Sequence, residues 1–264
     1  MSEVLVVDSG QPIQGKNRRW LWILLSIIAI LAIAIGGFVF WALNPTVVID
    51  EIAYNAIESN ENITITDDAW LAFLPHTPPT TGVIIYPGGR VPALAYAPIA
   101  RQIADAGYLV VIVYPPLNLA ILNTNLATPV IEHFSAVEQW IVGGHSLGGS
   151  AASIYTNSHM ETIDGLFFMA SYPLESNDFS ETDLDVTSIY GTNDGLVALE
   201  DIEASRDNVP AASVFVEIEG GNHAQFGYYG TQSGDNEATI AHDEQITQTV
   251  DAILDLLFKV ERNQ

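Results

Sequence analysis

The chain has no cysteine in 264 residues. That excludes disulfides, a thiolate nucleophile, cysteine-ligated zinc and lipid attachment through an N-terminal cysteine, while leaving the redox compartment open. Base is scarce too: 8 Lys and Arg stand against 32 Asp and Glu, for a formal charge of −24. The acid content is ordinary for this length, so the charge comes from missing cations. A surface of that sign repels phosphate backbones, and no nucleic-acid partner is expected. The six histidines show no ligand spacing such as H-x-x-x-H, and a phosphate-loop lysine is missing. Neither a metal nor an organic cofactor is therefore expected. Internal repeats and low-complexity segments are absent as well.

What is present begins with a long apolar run. Trp20 to Leu43 is 24 residues without a charge, long enough as a helix to cross the roughly 30 Å hydrocarbon layer. Trp20, Trp22 and Trp41 lie near its ends, where indoles favour the membrane interface. Lys16, Arg18 and Arg19 precede it, and Asp50 and Glu51 are the first charges after it. The positive-inside rule then makes residues 1–19 a cytoplasmic tail, 20–43 a transmembrane signal-anchor helix and 44–61 a juxtamembrane linker. A domain over 62–264 lies on the far side of the membrane. The alternative is a cleaved signal peptide, for which Ala32 to Gly37 offers small residues, although the apolar run is longer than that task needs.

The remaining chain holds enough apolar residues for one domain with a real core. Residues 62–75 predict a hairpin turning at Asp67-Asp68. Buried strands are expected at 82–87, 108–114, 139–144, 165–171, 186–191 and 213–218. Helices are expected at 95–107, from Thr128-Pro129, at 147–157, near 198–205 and at 240–259. Near-continuous apolar strands alternating with helices imply an α/β fold with a doubly wound, mostly parallel sheet.

Within that frame one stretch stands out, IVGGHSLGGSAA at 141–152. A serine on a sharp strand-to-helix turn sits at strained dihedrals and needs small neighbours, which Gly144 and Gly148 supply around Ser146. The turn would lift the Ser146 hydroxyl above the sheet edge and aim the N–H of Leu147 at the same point. A hydroxyl alone is a poor nucleophile, so a base, an acid and a second oxyanion donor are required. Asp194, in a turn after the strand 186–191, is the candidate acid, with an ordinary turn aspartate as the alternative. His223, on a glycine-rich turn after the following strand, is the candidate base. His145 is set aside because its side chain is expected to point away. The second donor is assigned to Gly89 in YPGGR, with Arg90 as the near alternative. The loop 115–128 exposes Leu117 and Leu119 as a pocket wall or packs them into the core. Arg90 either holds a substrate carboxylate or pairs with an acidic neighbour.

YPGG, GGHSLGG, YGTNDG and GGNHAQFG resemble the oxyanion loop, nucleophile elbow, acid turn and histidine turn of the α/β-hydrolase family. The resemblance runs from about residue 62 to 258 and is nearest to the compact dienelactone-hydrolase-like and carboxylesterase-like branch. Dienelactone hydrolases use cysteine where this chain has Ser146, and lipase-type members carry HGGG where it has Pro87-Gly88-Gly89-Arg90. The resemblance implies a Ser146–His223–Asp194 triad cleaving carboxylic ester or related acyl bonds of a small-molecule or surface-presented substrate. Only residues 172–185 stand where many members insert a helical lid, so an open site is expected.

Overall fold

The computed structural model describes residues 19–45 and 47–263. It comprises two units, Met1–Trp41 and Ala42–Gln264. In the first, α1 (Arg19–Leu43) follows from an uninterrupted apolar sequence with a mean hydropathy of 2.9 over its best window. None of that window is buried in protein, and 25 residues at 1.5 Å each give a helix about 37 Å long. The segment is thus long and apolar enough to span a membrane.

The second unit is built on an eight-stranded sheet in the order β1-β2-β4-β3-β5-β6-β7-β8. β1 (Ile63–Asp67) and β2 (Trp70–Pro75) form the expected hairpin, and β2 also pairs antiparallel with β4 (Leu109–Val113). The other strands, β3 (Thr81–Tyr86), β5 (Gln139–His145), β6 (Gly165–Met169), β7 (Asp185–Gly191) and β8 (Val214–Ile218), are joined by parallel ladders, as is β3 to β4. β3 to β7 are buried along their whole length, because helices cover both faces of the sheet.

The strand period of two divides the core. Val83, Ile85, Val110, Ile112 and Ile141 face one layer, where Ile99 and Ile103 of α3 (Ala97–Asp105) join the C-terminal helix. Ile84, Tyr86, Val111 and Val142 face the other, with Val130 of α4 (Ala127–His133) and Ala151, Ala152 and Tyr155 of α5 (Leu147–Ser158). β3 lies between β4 and β5, so the chain leaving β3 turns towards α3 and the chain leaving β5 turns towards α5 on the opposite face. A crevice opens between two such diverging turns at the carboxyl ends of the strands. Pro87 to Gly89 and Ser146 are the residues at that divergence.

One expectation needs correction. Of residues 44–61, expected as a juxtamembrane linker, the stretch 47–57 packs into the domain. Val47, Ile49, Ala56 and Ile57 pack on the first core layer, and Ala53 of α2 (Glu51–Asn55) is fully buried there. The N–H groups of Val48 and Asp50 donate to the carbonyls of Tyr229 and Tyr228 at 3.3 and 3.2 Å. Arg101 holds the end of the segment, its guanidinium donating to the carbonyls of Ala56 and Glu58. The apolar side chains of this stretch cover sheet and helix surface that would otherwise meet water, which is why it docks.

A helix α6 (Leu199–Ala204) follows β7, and α7 (His242–Arg262) closes the chain. Its Ile246, Val250, Ile253 and Leu257 recur at helical spacing and are buried in the first layer. Between β6 and β7 no helix is inserted, and Phe179 of that connection is buried in the second layer.

Candidate active site

β5 ends at His145 and α5 begins at Leu147, which leaves Ser146 alone to make the turn. It does so at φ 51 and ψ −123, a region that L-residues with a side chain rarely occupy. Close packing fixes the strain in place. A Cβ on Gly144 would lie 2.4 Å from the Tyr86 carbonyl oxygen, and one on Gly148 would lie 2.1 Å from the same atom. Both glycines are therefore required for the turn to sit against the end of β3. The Ser146 N–H donates to the Met169 carbonyl at 3.0 Å, and its own carbonyl accepts from the Ser171 hydroxyl at 2.7 Å. Ser146 itself stays partly exposed.

Asp194 and His223 arrive from the turns after β7 and β8. Asp194 Oδ2 lies 2.8 Å from His223 Nδ1, and the two side chains are 2% and 1% exposed. The other carboxylate oxygen of Asp194 accepts from the N–H groups of Leu196 and Val197, both at 2.8 Å. Asp194 is thus oriented by its own turn, and Nδ1 carries the proton it accepts. That tautomer leaves a lone pair on His223 Nε2, which is buried and has no hydrogen-bond partner among the described residues. The bond from the Ser146 hydroxyl to Nε2 is not formed in this structure.

The loop carrying Gly88, Gly89 and Arg90, expected to be the oxyanion loop, is tied down on three sides. The Gly88 N–H donates to Tyr96 Oη at 2.9 Å, the Gly88 carbonyl accepts from Val91 at 3.1 Å, and the Arg90 N–H donates to the Asn118 carbonyl at 2.7 Å. Arg90 is thereby removed as the alternative backbone donor. In a trans peptide the C=O and the next N–H point in opposite directions, so the bond to Val91 turns the Gly89 N–H away from that partner. Among the described residues neither the Gly89 nor the Leu147 N–H has an acceptor. A Cβ on Gly89 would lie 3.2 Å from Leu147 Cδ2 and 3.9 Å from Leu119 Cδ2, so Leu119 reaches this point. Leu117 and Leu119 are both half-buried, in a loop where Leu117 and Asn118 take φ values of 54 and 55. The Arg90 guanidinium donates to the Asn44 carbonyl at 3.2 Å.

His145 does not point away from the site. Its ring centre lies 4.6 Å from that of His223. Alternation along β5 puts Ile141, Gly143 and His145 on the face that also carries Tyr96, and the histidine turn folds over that face. Burial, reinforced by the neighbouring His223, holds the His145 imidazole well below its ordinary pKa and keeps it neutral. Tyr96 Oη, already accepting from Gly88, donates to His145 Nδ1 at 2.8 Å. One phenol therefore links the Gly88 loop to the residue preceding Ser146. Sequence reasoning missed Tyr96, which reads as an apolar position at the start of a helix.

A search of curated proteins finds no match to the chain. Among solved structures, a protein described as a predicted CIB-like hydrolase from Thermoplasma acidophilum superposes with a TM-score of 0.55 at 15% identity, over 74% of this chain and 100% of that one. TT1662 from Thermus thermophilus gives 0.53 at 13% identity, covering 74% and 98% of the two chains. Est1E from Butyrivibrio proteoclasticus gives 0.51 at 13%, covering 75% and 99%. Such identities speak for the fold alone. The family model described as Alpha/beta hydrolase family matches residues 82–247, well over half of the chain, from the first parallel strand through the histidine turn into the last helix. With the sheet order and the strained turn at Ser146, that match makes the chain a member of the α/β-hydrolase family.

Proposed function

We propose that this hydrolase cleaves carboxylic ester or related acyl bonds through Ser146, His223 and Asp194, and that α1 anchors it in a membrane. The observation that carries the reading is the 2.8 Å bond between the buried Asp194 carboxylate and His223 Nδ1, made at the same carboxyl edge of the parallel sheet from which a serine emerges at φ 51. Asp194 fixes the tautomer in which Nε2 is a base. A rotation of the Ser146 side chain or the arrival of substrate brings the hydroxyl to Nε2, a bond often open in unliganded hydrolases. Ser146 Oγ then attacks the acyl carbon while Nε2 takes its proton. The N–H groups of Leu147 and Gly89 receive the charge that develops on the carbonyl oxygen. Nε2 returns the proton to the leaving group, and water repeats the sequence to release the acid and free the serine. Leu117 and Leu119 form an apolar wall for the acyl group, and the short connection after β6 leaves the site open.

Labelling with a fluorophosphonate probe tests the chemistry. The wild type is expected to label and Ser146→Ala to remain blank; labelling that persists in the alanine variant assigns the nucleophile to another serine, and a folded wild type that stays blank rejects the hydrolase reading. For the anchor, charge flanking the helix puts the catalytic domain outside the cytoplasm. Protease added to intact cells is expected to digest the domain, and full protection would reverse the orientation.

A further inference from the structure

We propose that Asp235 is a positioning residue that holds the turn bearing Asp194 and the turn bearing His223 at the separation their hydrogen bond requires. The inference rests on the triad reading above, and no sequence pattern marks the residue.

Apart from the Asp194–His223 bond itself, the direct links between the two turns among the described residues lie near the strand ends. The Asn193 N–H donates to the Gly221 carbonyl at 2.8 Å, and the Gly220 N–H donates to the Thr192 hydroxyl at 2.8 Å. Further out, where the reacting groups sit, one carboxylate accepts from backbone N–H groups of both turns. Asp235 Oδ1 accepts from the Gly195 N–H at 2.9 Å and from the His223 N–H at 3.3 Å, while Oδ2 accepts from the Ala224 N–H at 2.8 Å. Gly195 adjoins Asp194, so Asp235 grips the residue after the acid and the residues at and after the base. Its fourth bond, from the Asn236 N–H at 2.9 Å, orients the carboxylate within its own turn.

The surrounding contacts fit a fixed bracket. A Cβ on Gly195 would lie 2.7 Å from both the Asn236 nitrogen and the Gly234 oxygen, so the acid turn lies flush against the segment carrying Asp235. Asn193 and Asn222 each donate a side-chain N–H to that segment, at the carbonyls of Glu237 and Asn236. A carboxylate suits the position because two oxygens with four lone-pair sites can take several backbone donors from different directions. Removing it leaves the links at the strand ends intact. With only the Asn193 and Asn222 amide contacts left to that segment, the backbones at and beyond Asp194 and His223 lose their shared anchor, and the Asp194–His223 bond lengthens without loss of the fold.

The test uses the full-length protein in detergent. With a p-nitrophenyl ester of a short acid, Asp235→Ala is expected to lower kcat by about 10²-fold, the size of a misplacement near 1 Å, with KM near wild type and Tm lowered by the N–H groups left without their acceptor. Asp235→Asn keeps the Oδ1 acceptor and loses Oδ2, so it falls between. In a Ser146→Ala background, which removes the chemistry, the deshielded His223 Nδ1–H proton resonance is expected to broaden or vanish when Asp235→Ala is added. Thr231→Ala, an exposed position on the same loop, serves as control. Wild-type kcat together with an undisturbed resonance in Asp235→Ala overturns the proposal. If Asp235→Ala fails to fold, the same two readings on Asp235→Asn decide. A wild type without hydrolase activity sinks the triad reading alone, because the resonance still judges whether Asp235 sets the bond.

Discussion

A side-chain carbon on Gly148 would stand 2.1 Å from the carbonyl oxygen of Tyr86, closer than any real pair of such atoms. Backbone meets backbone there, and no side chain can swing aside. Gly148→Ala must push the elbow off the end of β3, at a cost of about 3 kcal/mol or more. A fall in Tm of roughly 10 °C and loss of fluorophosphonate labelling are expected. An alanine variant that melts and labels like wild type would show that the turn has slack.

Ser146 pays a conformational penalty that glycine would not. At φ 51 and ψ −123 the strain is on the order of 1–3 kcal/mol. Ser146→Gly is therefore expected to raise Tm by about 2–12 °C, whereas Ser146→Ala, which keeps a Cβ, is not. Equal melting temperatures for the two variants would mean that the turn relaxes in solution.

Tyr96→Phe removes one oxygen and leaves two buried polar groups, the Gly88 N–H and His145 Nδ1, without their partner. Each unpaired group costs about 1–3 kcal/mol, so Tm falls. Because the Gly89 N–H, the proposed oxyanion donor, is aimed through the Gly88 peptide, kcat is expected to drop by about 10-fold to 10²-fold, approaching the loss of one oxyanion donor. KM stays close to wild type. A loss confined to KM would place Tyr96 in substrate binding and not in aiming the donor.

His145 links stability to pH. Its folded pKa lies below the ordinary histidine value because burial disfavours the imidazolium. The unfolded chain therefore binds a proton that the folded chain does not, starting near pH 6.5. Its contribution is fully present above that pH and is lost as pH falls, at up to about 1.4 kcal/mol per unit. His145→Asn keeps an acceptor for Tyr96 and cannot titrate. Denaturant unfolding between pH 7 and 5 should show a shallower decline in the variant, and parallel curves would remove His145 as a cause.

Much of this architecture was legible because its causes are local. β3 to β7 are apolar on both faces and bounded by turn residues, and every one of them appears within three residues of its expected limits. Ser146, Asp194 and His223 could be singled out because each follows a strand, and chain order places them on one sheet edge. What escaped depends on contacts distant in sequence. The docking of residues 47–57 needs the finished surface of α3 and the sheet. His145 was assigned the wrong direction because a histidine at a strand end can turn to either face until its neighbours are known. Tyr96 and Asp235 work by accepting from backbone N–H groups in other segments, and such pairing leaves no trace in composition or period.

The depth at which His223 and Asp194 lie also sets what kind of chemistry can disable this protein. An imidazole 1% exposed, with its carboxylate partner 2% exposed, is shut away from water-borne acylating agents, while Ser146 is partly exposed. Inactivation should therefore be selective by reagent class: electrophiles that mimic an acyl group gain entry at Ser146, and histidine modifiers act only after the domain has begun to come apart.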